Sequence, residues 1–413
     1  MRPSISISMV LTTTVTVVGF QSYANNIDTT DARSLSENSS AQKQSLALQI
    51  SERYSDLELS LKAQISQNSL STPIDKLNSS QPYSAFSNKM QKADLGYRKM
   101  KGINNFSNSV LEIRMADEAM IEAWKNGENP LFAFEPSGDD SNWQYIEAYD
   151  VYGQVHQLDV YQMPDVPVFV VDSNGAEELK AGLMAMQAEM NKLGTATQIN
   201  SGSKNTGDNE DSKGSKNSKF QKQTFMGKAK RSMAMSEPEP LNTTQLTKIR
   251  LAVDQEPWLS GKAEIYAIVT GVDSSRVEPQ IDLVEMPYLD YDKQTYYPNQ
   301  TVIFWPRYRW GAADMILMEH DDGTDYKELA KLLVQAAEEI LKMIPDPEVQ
   351  GYAIIPQITG KIIDVIPDGV LVNDDDFVDV FYTLMQNTSY VAHPGAGGNA
   401  VASFAPVIIS PTE

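Results

Sequence analysis

Carboxylate oxygen is the ligand this chain offers in quantity, and it comes in clusters. Asp254-Gln-Glu256, Asp290-Tyr-Asp292, Asp321-Asp322-Gly-Thr-Asp325 and Asp374-Asp375-Asp376 with Asp379 all fall in the last third. Residues 241–413 carry 26 Asp and Glu against 11 Lys and Arg, a net of −15 out of −21 for the whole chain. Hard oxygens spread over several loops suit Ca2+, which takes roughly six to eight of them. Asp254, Asp321, Asp322, Asp325, Asp374 and Asp376 are the expected ligands, on condition that folding brings their loops together. The plainer reading of the same residues is a solvated acidic surface. An EF-hand is absent, because Asp321-Asp322-Gly323 lacks the alternating ligands and the closing Glu.

Other chemistry has less to stand on. Histidine occurs only at positions 156, 320 and 393. His320, next to Asp321, reads as a metal ligand or acid–base group, or else as a hydrogen-bonded structural residue. No His-x-x-x-His or His-Glu-x-x-His pair argues for a zinc hydrolase, and no Gly-x-Ser-x-Gly elbow is present. The glycines after His393 follow no nucleotide-binding pattern and read as a flexible loop. Glu264, Glu285 and Glu319 supply material for acid–base work on glycosides, but no spacing singles out a pair. No catalytic residue is therefore assigned. Aromatics gather between Tyr288 and Trp310. Tyr296, Trp305, Arg307, Tyr308, Arg309 and Trp310 read either as a platform for a protein or glycan, because Tyr, Trp and Arg dominate binding hot spots, or as core aromatics with paired arginines.

These residues need elements to position them. Arg2, the apolar stretch from Met9 to Phe20 and the small residues Ser22 and Ala24 form an export-signal pattern over residues 1–24. The apolar run is shorter than the ~20 residues a membrane span needs, and no later segment is long and apolar enough. Periplasmic or extracellular residence is expected. The chain has no cysteine, hence no disulfide framework and no thiolate ligand. Its negative charge disfavours nucleic acid as a partner.

Residues 25–40 are polar and expected to be disordered. Leu46, Ile50, Leu57, Leu61 and Ile65 lie on one helical stripe, residues 83–101 are ambiguous, and the spacing from Ser109 to Trp124 predicts a helix. Strands are expected at Leu131–Glu135, Trp143–Asp150, Gln154–Tyr161 and Val166–Val171, then a Met-rich helix over Ala176–Leu193. Residues 195–240 are Ser-, Gly- and Lys-rich and read as a disordered, protease-sensitive linker. Beyond it, strands are expected at Leu246–Val253, Ala263–Thr270, Gln280–Glu285, Thr301–Trp305, Met315–Glu319, Gly351–Ile355, Phe377–Thr383 and Ala402–Ile409. One helix, Tyr326–Met343, interrupts them, with Asp325 at its N-terminus and Pro345 as its stop.

The fold class is thus α+β: an N-terminal α+β domain (41–194), a linker (195–240) and an acidic β-sandwich with one inserted helix (241–413).

Two blocks carry a resemblance. The first is Pro130-Leu-Phe-Ala-Phe-Glu-Pro-Ser-Gly with Trp143-Gln-Tyr-Ile-Glu-Ala-Tyr-Asp and Pro167-Val-Phe-Val-Val-Asp. The second is Asp254-Gln-Glu-Pro-Trp-Leu-Ser-Gly-Lys-Ala-Glu-Ile-Tyr-Ala with Glu319-His-Asp-Asp-Gly-Thr-Asp-Tyr. Together they resemble the exported gammaproteobacterial proteins grouped as domain of unknown function 3103, from about residue 105 onward. The resemblance implies export and brings no activity. A looser likeness runs to calcium-dependent C2-type sandwiches, although the helix and the loop spacing depart from that pattern.

The functional expectation is an exported, non-enzymatic binding protein, its sandwich stabilised by Ca2+ and its aromatic surface offered to a protein or glycan. A secreted metal- or carboxylate-dependent hydrolase is the alternative, and release of the N-terminal part at the linker is a third possibility.

Overall fold

The computed structural model describes residues 30–77, 84–138, 142–202, 239–252, 258–261, 263–275, 277–320, 323–344, 346–369 and 377–410. The expected leader and most of the expected linker lie outside them. So do Asp254, Asp321, Asp322, Asp374 and Asp376.

The N-terminal part wraps helices around one sheet. Helices α1 (Thr30–Ser51), α2 (Tyr54–Gln64) and α3 (Ser84–Met100) precede and flank β1 (Ser71–Pro73); then come β2 (Leu111–Met115), α4 (Met120–Lys125), β3 (Leu131–Phe134), β4 (Ile146–Tyr149), β5 (Val155–Leu158), β6 (Val168–Ser173) and α5 (Gly175–Lys192). The six strands lie in the order β1-β2-β6-β3-β4-β5. Every residue of the central strand β6 is buried, which is why it reads as a nearly unbroken apolar run. Aromatic side chains lock this core. Trp124 meets Phe169 edge-on at 5.0 Å, and its indole N–H donates to the Tyr54 hydroxyl at 2.8 Å.

Two expectations fail here. The expected helix from Ser109 to Trp124 is strand β2 followed by the short α4. Leu111, Ile113 and Met115 alternate with Glu112 and Arg114, so the period-2 signal was present. Pairing with β1 and β6 selected it over the helical one. The expected disorder up to residue 40 is also wrong at its end, for α1 starts at Thr30 and buries Ser36 and Ser39.

The C-terminal part adds β7 (Ile199–Ser201), β8 (Leu241–Leu251), β9 (Ile265–Val272), β10 (Pro279–Glu285), β11 (Thr295–Tyr296), β12 (Gln300–Phe304), β13 (Ala312–Glu319), α6 (Tyr326–Met343), α7 (Pro347–Gln350), α8 (Ile355–Gly369), β14 (Phe377–Met385), β15 (Tyr390–Pro394) and β16 (Ala400–Ile409). One sheet runs β14-β13-β9-β10-β7; the other runs β11-β8-β16-β15, with β12 also paired to β8.

Strand β9 is buried on both faces and shows the layering. Ile265, Ala267 and Val269 face the core between the sheets, whereas Tyr266, Ile268 and Val272 face the core shared with the helices. The architecture is therefore α+β, as expected, with two stacked sheets and helices behind the first. Expected strand Gly351–Ile355 is instead a 3-10 turn running into α8. Ile354, Ile358, Ile362 and Ile366 recur at helical spacing and are buried. Residues 199–201, inside the expected linker, form edge strand β7, parallel to β10.

The loop after His393 is held rather than free. Asp379 is fully buried, and its carboxylate accepts backbone N–H groups from Gly397 at 2.7 Å and Ala400 at 2.6 Å. A Cβ at Gly395 would come within 2.3 Å of that carboxylate, which is the reason for glycine there. Among the described residues no helix is long and apolar enough to cross a membrane.

Candidate functional site

Strand register sets the end of β13 beside the starts of β9 and β14. Strands β14, β13 and β9 are neighbours, with Met318 opposite Phe377 and Glu319 opposite Ile265. The chain leaving β13 at His320, the chain entering β9 and the chain entering β14 therefore sit side by side. Asp321 and Asp322 follow His320, Asp374 and Asp376 precede Phe377, and Asp254 lies in the segment leading to β9. Of the six expected calcium ligands only Asp325 is a described residue. It caps α6, its Oδ1 accepting the N–H groups of Lys327 at 2.9 Å and Glu328 at 3.2 Å. Among the described residues no three His, Asp or Glu side chains are grouped so as to hold a metal ion.

Behind this end lies a buried polar cluster that spans both parts of the chain. Glu178, on the first turn of α5, is fully buried. Its Oε1 lies 3.1 Å from the Lys101 ammonium and 3.5 Å from His320 Nε2, and its Oε2 accepts the Tyr97 hydroxyl at 3.1 Å. On the other side of the imidazole, Nδ1 is 2.9 Å from the Tyr326 hydroxyl. Tyr97 and Lys101 come from the end of α3, His320 from the end of β13 and Tyr326 from the start of α6. Gly182 makes room for this packing, since a Cβ there would lie 2.0 Å from the Tyr326 ring. Nearby, the Glu264 carboxylate fills the space a Cβ would take at Gly175, the first residue of α5, and a helix N-terminus favours an acid there. An acid, a base and two phenols converge, but the His320 side chain is only 5 % exposed. Its partner Glu178 gave no signal in the sequence, being one acid on an amphipathic helix.

None of the six residues expected to form the aromatic surface is fully exposed: Trp305 and Tyr308 are buried and the other four half-buried. Trp305 and Tyr308 are each 3 % exposed. Trp305 donates its indole N–H to Thr244 Oγ1 at 2.9 Å, and Tyr308 donates to Asp282 at 2.8 Å. Arg307 grips the same carboxylate with two N–H groups, at 2.9 and 2.8 Å. Gln280 and the Gln198 N–H add donors at 3.0 and 2.9 Å. Burial pushes the Asp282 carboxyl up, with Arg307 pulling the other way. The platform expected at Trp305, Arg307 and Tyr308 is thus a knot that fastens residues 196–198 to the sheet. The 3-10 turn at Trp305–Arg307 turns the tryptophan inward, and Tyr308 follows it into the core between the sheets.

Tyr296 is half-buried against Tyr288, with ring centroids 6.3 Å apart. Arg309 pairs with Glu348 and lies 6.0 Å from the half-buried Trp310 ring. Tyr291 and Tyr297 are exposed; Tyr297, the more open at 67 % accessible, has the Lys248 ammonium 5.9 Å from its ring centre, with Arg250 exposed on the same strand as Lys248.

Burial also raises two other carboxyls. Burial pushes Asp314 on β13 up to about 6, with the Thr383 N–H, donating to Oδ1 at 2.7 Å, and the Thr359 side chain pulling the other way. Glu112 on β2 is raised too, although Asn174 and Ser71 donate to it. A cleft of about 360 Å³ opens between the end of α5, the start of β10 and the end of α6, lined by Thr195, Glu278, Glu338 and Lys342 among others. Neither Asp314, Asp282 nor Glu112 lines it.

No curated protein and no solved structure matches the chain. A family model described as protein of unknown function (DUF3103) matches residues 43–412, nearly the whole chain. The chain belongs to that family.

Proposed function

We propose that this is an exported, non-enzymatic binding protein whose acidic sheet end takes Ca2+ and so braces the junction between its two parts. The observation that carries this reading is the register of β14, β13 and β9, which sets the end of β13, from which the Asp321–Asp322 segment leads, beside the starts of β14 and β9. Calcium needs hard oxygens from several directions, and three neighbouring strand ends are a route to that. Asp321, Asp322, Asp374, Asp376 and Asp254 are the ligands in this reading, while Asp325 keeps its capping role. Without the ion, like charges on adjacent loops repel. With it, the strand end beside Glu178, Lys101 and His320 is stiffened, and binding to the folded state raises stability by mass action.

For the partner surface we favour the outer side of the second sheet around Tyr297, Lys248 and Arg250. An exposed aromatic ring beside two cations on an otherwise acidic protein suits a glycan carrying negative charge. Calorimetric titration of the metal-stripped full chain with Ca2+, paired with melting curves in Ca2+ and in chelator, tests the brace. Saturable binding with a higher Tm is expected, and Asp322→Ala should reduce the increment. No binding at millimolar Ca2+ would sink the proposal. Tyr297→Ala should weaken binding to an anionic polysaccharide and leave Tm unchanged. Export is checked by N-terminal sequencing of the mature protein, expected to start near residue 25.

A further inference from the structure

The N-terminal sheet holds a constellation that the calcium reading does not use. Lys43, on the sheet-facing side of α1, is fully buried. Its Nζ lies 2.5 Å from Oδ1 of Asp172 on β6 and 3.0 Å from Oε2 of Glu135, the residue after β3. Asp172 is buried as well, and its second oxygen, Oδ2, lies 3.4 Å from Arg114 Nη2. The Ser173 N–H donates to Oδ1 at 2.7 Å. Arg114 is itself held by donating to the Leu259 carbonyl. A primary amine thus rests against a carboxyl group, with a second carboxylate touching the amine and a cation facing the far carboxyl oxygen. Each part matches a need of amide formation: a nucleophile held in place, a proton carrier and a charge opposite the oxygen that turns anionic.

We propose that Lys43 and Asp172 condense to an intramolecular amide, with Glu135 carrying protons and Arg114 stabilising the oxyanion. The dry site disfavours separate charges, so one proton passes from the ammonium to Asp172 Oδ1, directly or through Glu135. The Nζ lone pair then attacks Cγ, and the π electrons move onto Oδ2, facing Arg114. Glu135 takes a second proton from Nζ and delivers it to the Oδ1 hydroxyl. As the Oδ2 electrons restore the carbonyl, the Cγ–Oδ1 bond breaks and water leaves. Ammonium and carboxylate become amide and water, Glu135 ends as it began, and nothing is oxidised or reduced. The bond ties α1 to β6 across 129 residues of chain. In a protein without cysteine it would hold the N-terminal helix as a disulfide holds one elsewhere.

Tryptic mapping of the full chain by mass spectrometry decides the matter. Trypsin does not cut after an acylated lysine, so residues 34–53 should appear joined to residues 126–180, lighter than their sum by one water. Lys43→Arg should release the two separately. Glu135→Gln keeps both reacting groups and should slow the linkage by at least about a hundredfold, followed as linked fraction against time after synthesis. Separate peptides from the unaltered chain, with Lys43 cleaved normally, would overturn the proposal without recourse to any variant. Equally fast linkage in Glu135→Gln would overturn the role given to Glu135.

Discussion

Two of the places where the N-terminal part is fastened to the C-terminal sheets differ in kind. At the edge strand, Asp282 is surrounded by Arg307, Tyr308, Gln280 and the Gln198 N–H. Its cation is an arginine, which keeps its charge at any ordinary pH and matches a carboxylate with two parallel N–H groups. At the acidic end, Glu178 meets Lys101, His320 and Tyr97. Those partners are point donors from the end of α3 and the end of β13, and histidine is the side chain that ordinarily changes charge near neutrality. One tie is a fixed staple. The other is the one that the proposed calcium brace would make conditional. Pairing is what makes either burial tolerable, because a buried ion left alone costs far more than a paired one gains.

The largest effect should come from breaking the staple. Asp282→Ala leaves the half-buried Arg307 without its carboxylate and should cost about 3–5 kcal/mol, read as a lower urea midpoint; a loss below about 1 kcal/mol would mean that the guanidinium finds water. Glu178→Ala removes the carboxylate that Lys101, His320 and Tyr97 share and should cost roughly 3–4 kcal/mol. If the acidic end is the conditional tie, this loss shrinks in chelator, where the junction is already loosened, while the Asp282→Ala loss does not. Equal losses in both buffers would erase the contrast.

Asp314 sharpens the comparison as a buried acid that pairs with no cation among the described residues. Its carboxyl is pushed up to about 6 from an ordinary 3.8. Between those values the folded chain holds a proton that the unfolded chain has lost, so stability falls as the pH rises from about 4 to about 6 and is flat above. The drop is on the order of 3 kcal/mol, and Asp314→Asn should flatten it in pH-dependent unfolding. Smallest is Gly182→Val, which drives a side chain into the Tyr326 ring and should cost about 2 kcal/mol. A shift in the His320 ring resonances by NMR would accompany it, whereas an unmoved resonance would show that the cluster is insulated from that packing.

How much was legible depended on the range of each signal. Helix α6 was expected at Tyr326–Met343 and is observed there, because an apolar face at helical spacing and a capping aspartate are properties of consecutive residues. Strands β10, β12 and β13 fall close to their expected positions for the same reason. Leu111–Met115 was misread because it carried two periods at once, and a partner strand had to choose between them. The Trp305–Tyr308 segment was legible as a cluster but not as a core, since composition does not say which way a 3-10 turn faces. Tyr297, which does face out, differs from Tyr296 only by its place in the alternation.

The amino-acid order by itself determined the lack of cysteine, the acidic clusters, the periodicities that select most strands and helices, and the family blocks. Each is a property of composition or of neighbours in the chain. Sheet order decided everything that pairs distant residues. It set the end of β13 beside the starts of β9 and β14, brought Glu178 to His320 and Asp282 to Arg307, and buried Lys43 against Asp172. Periodicity reports which face of an element is apolar, but which face meets which is settled only when all the elements pack at once.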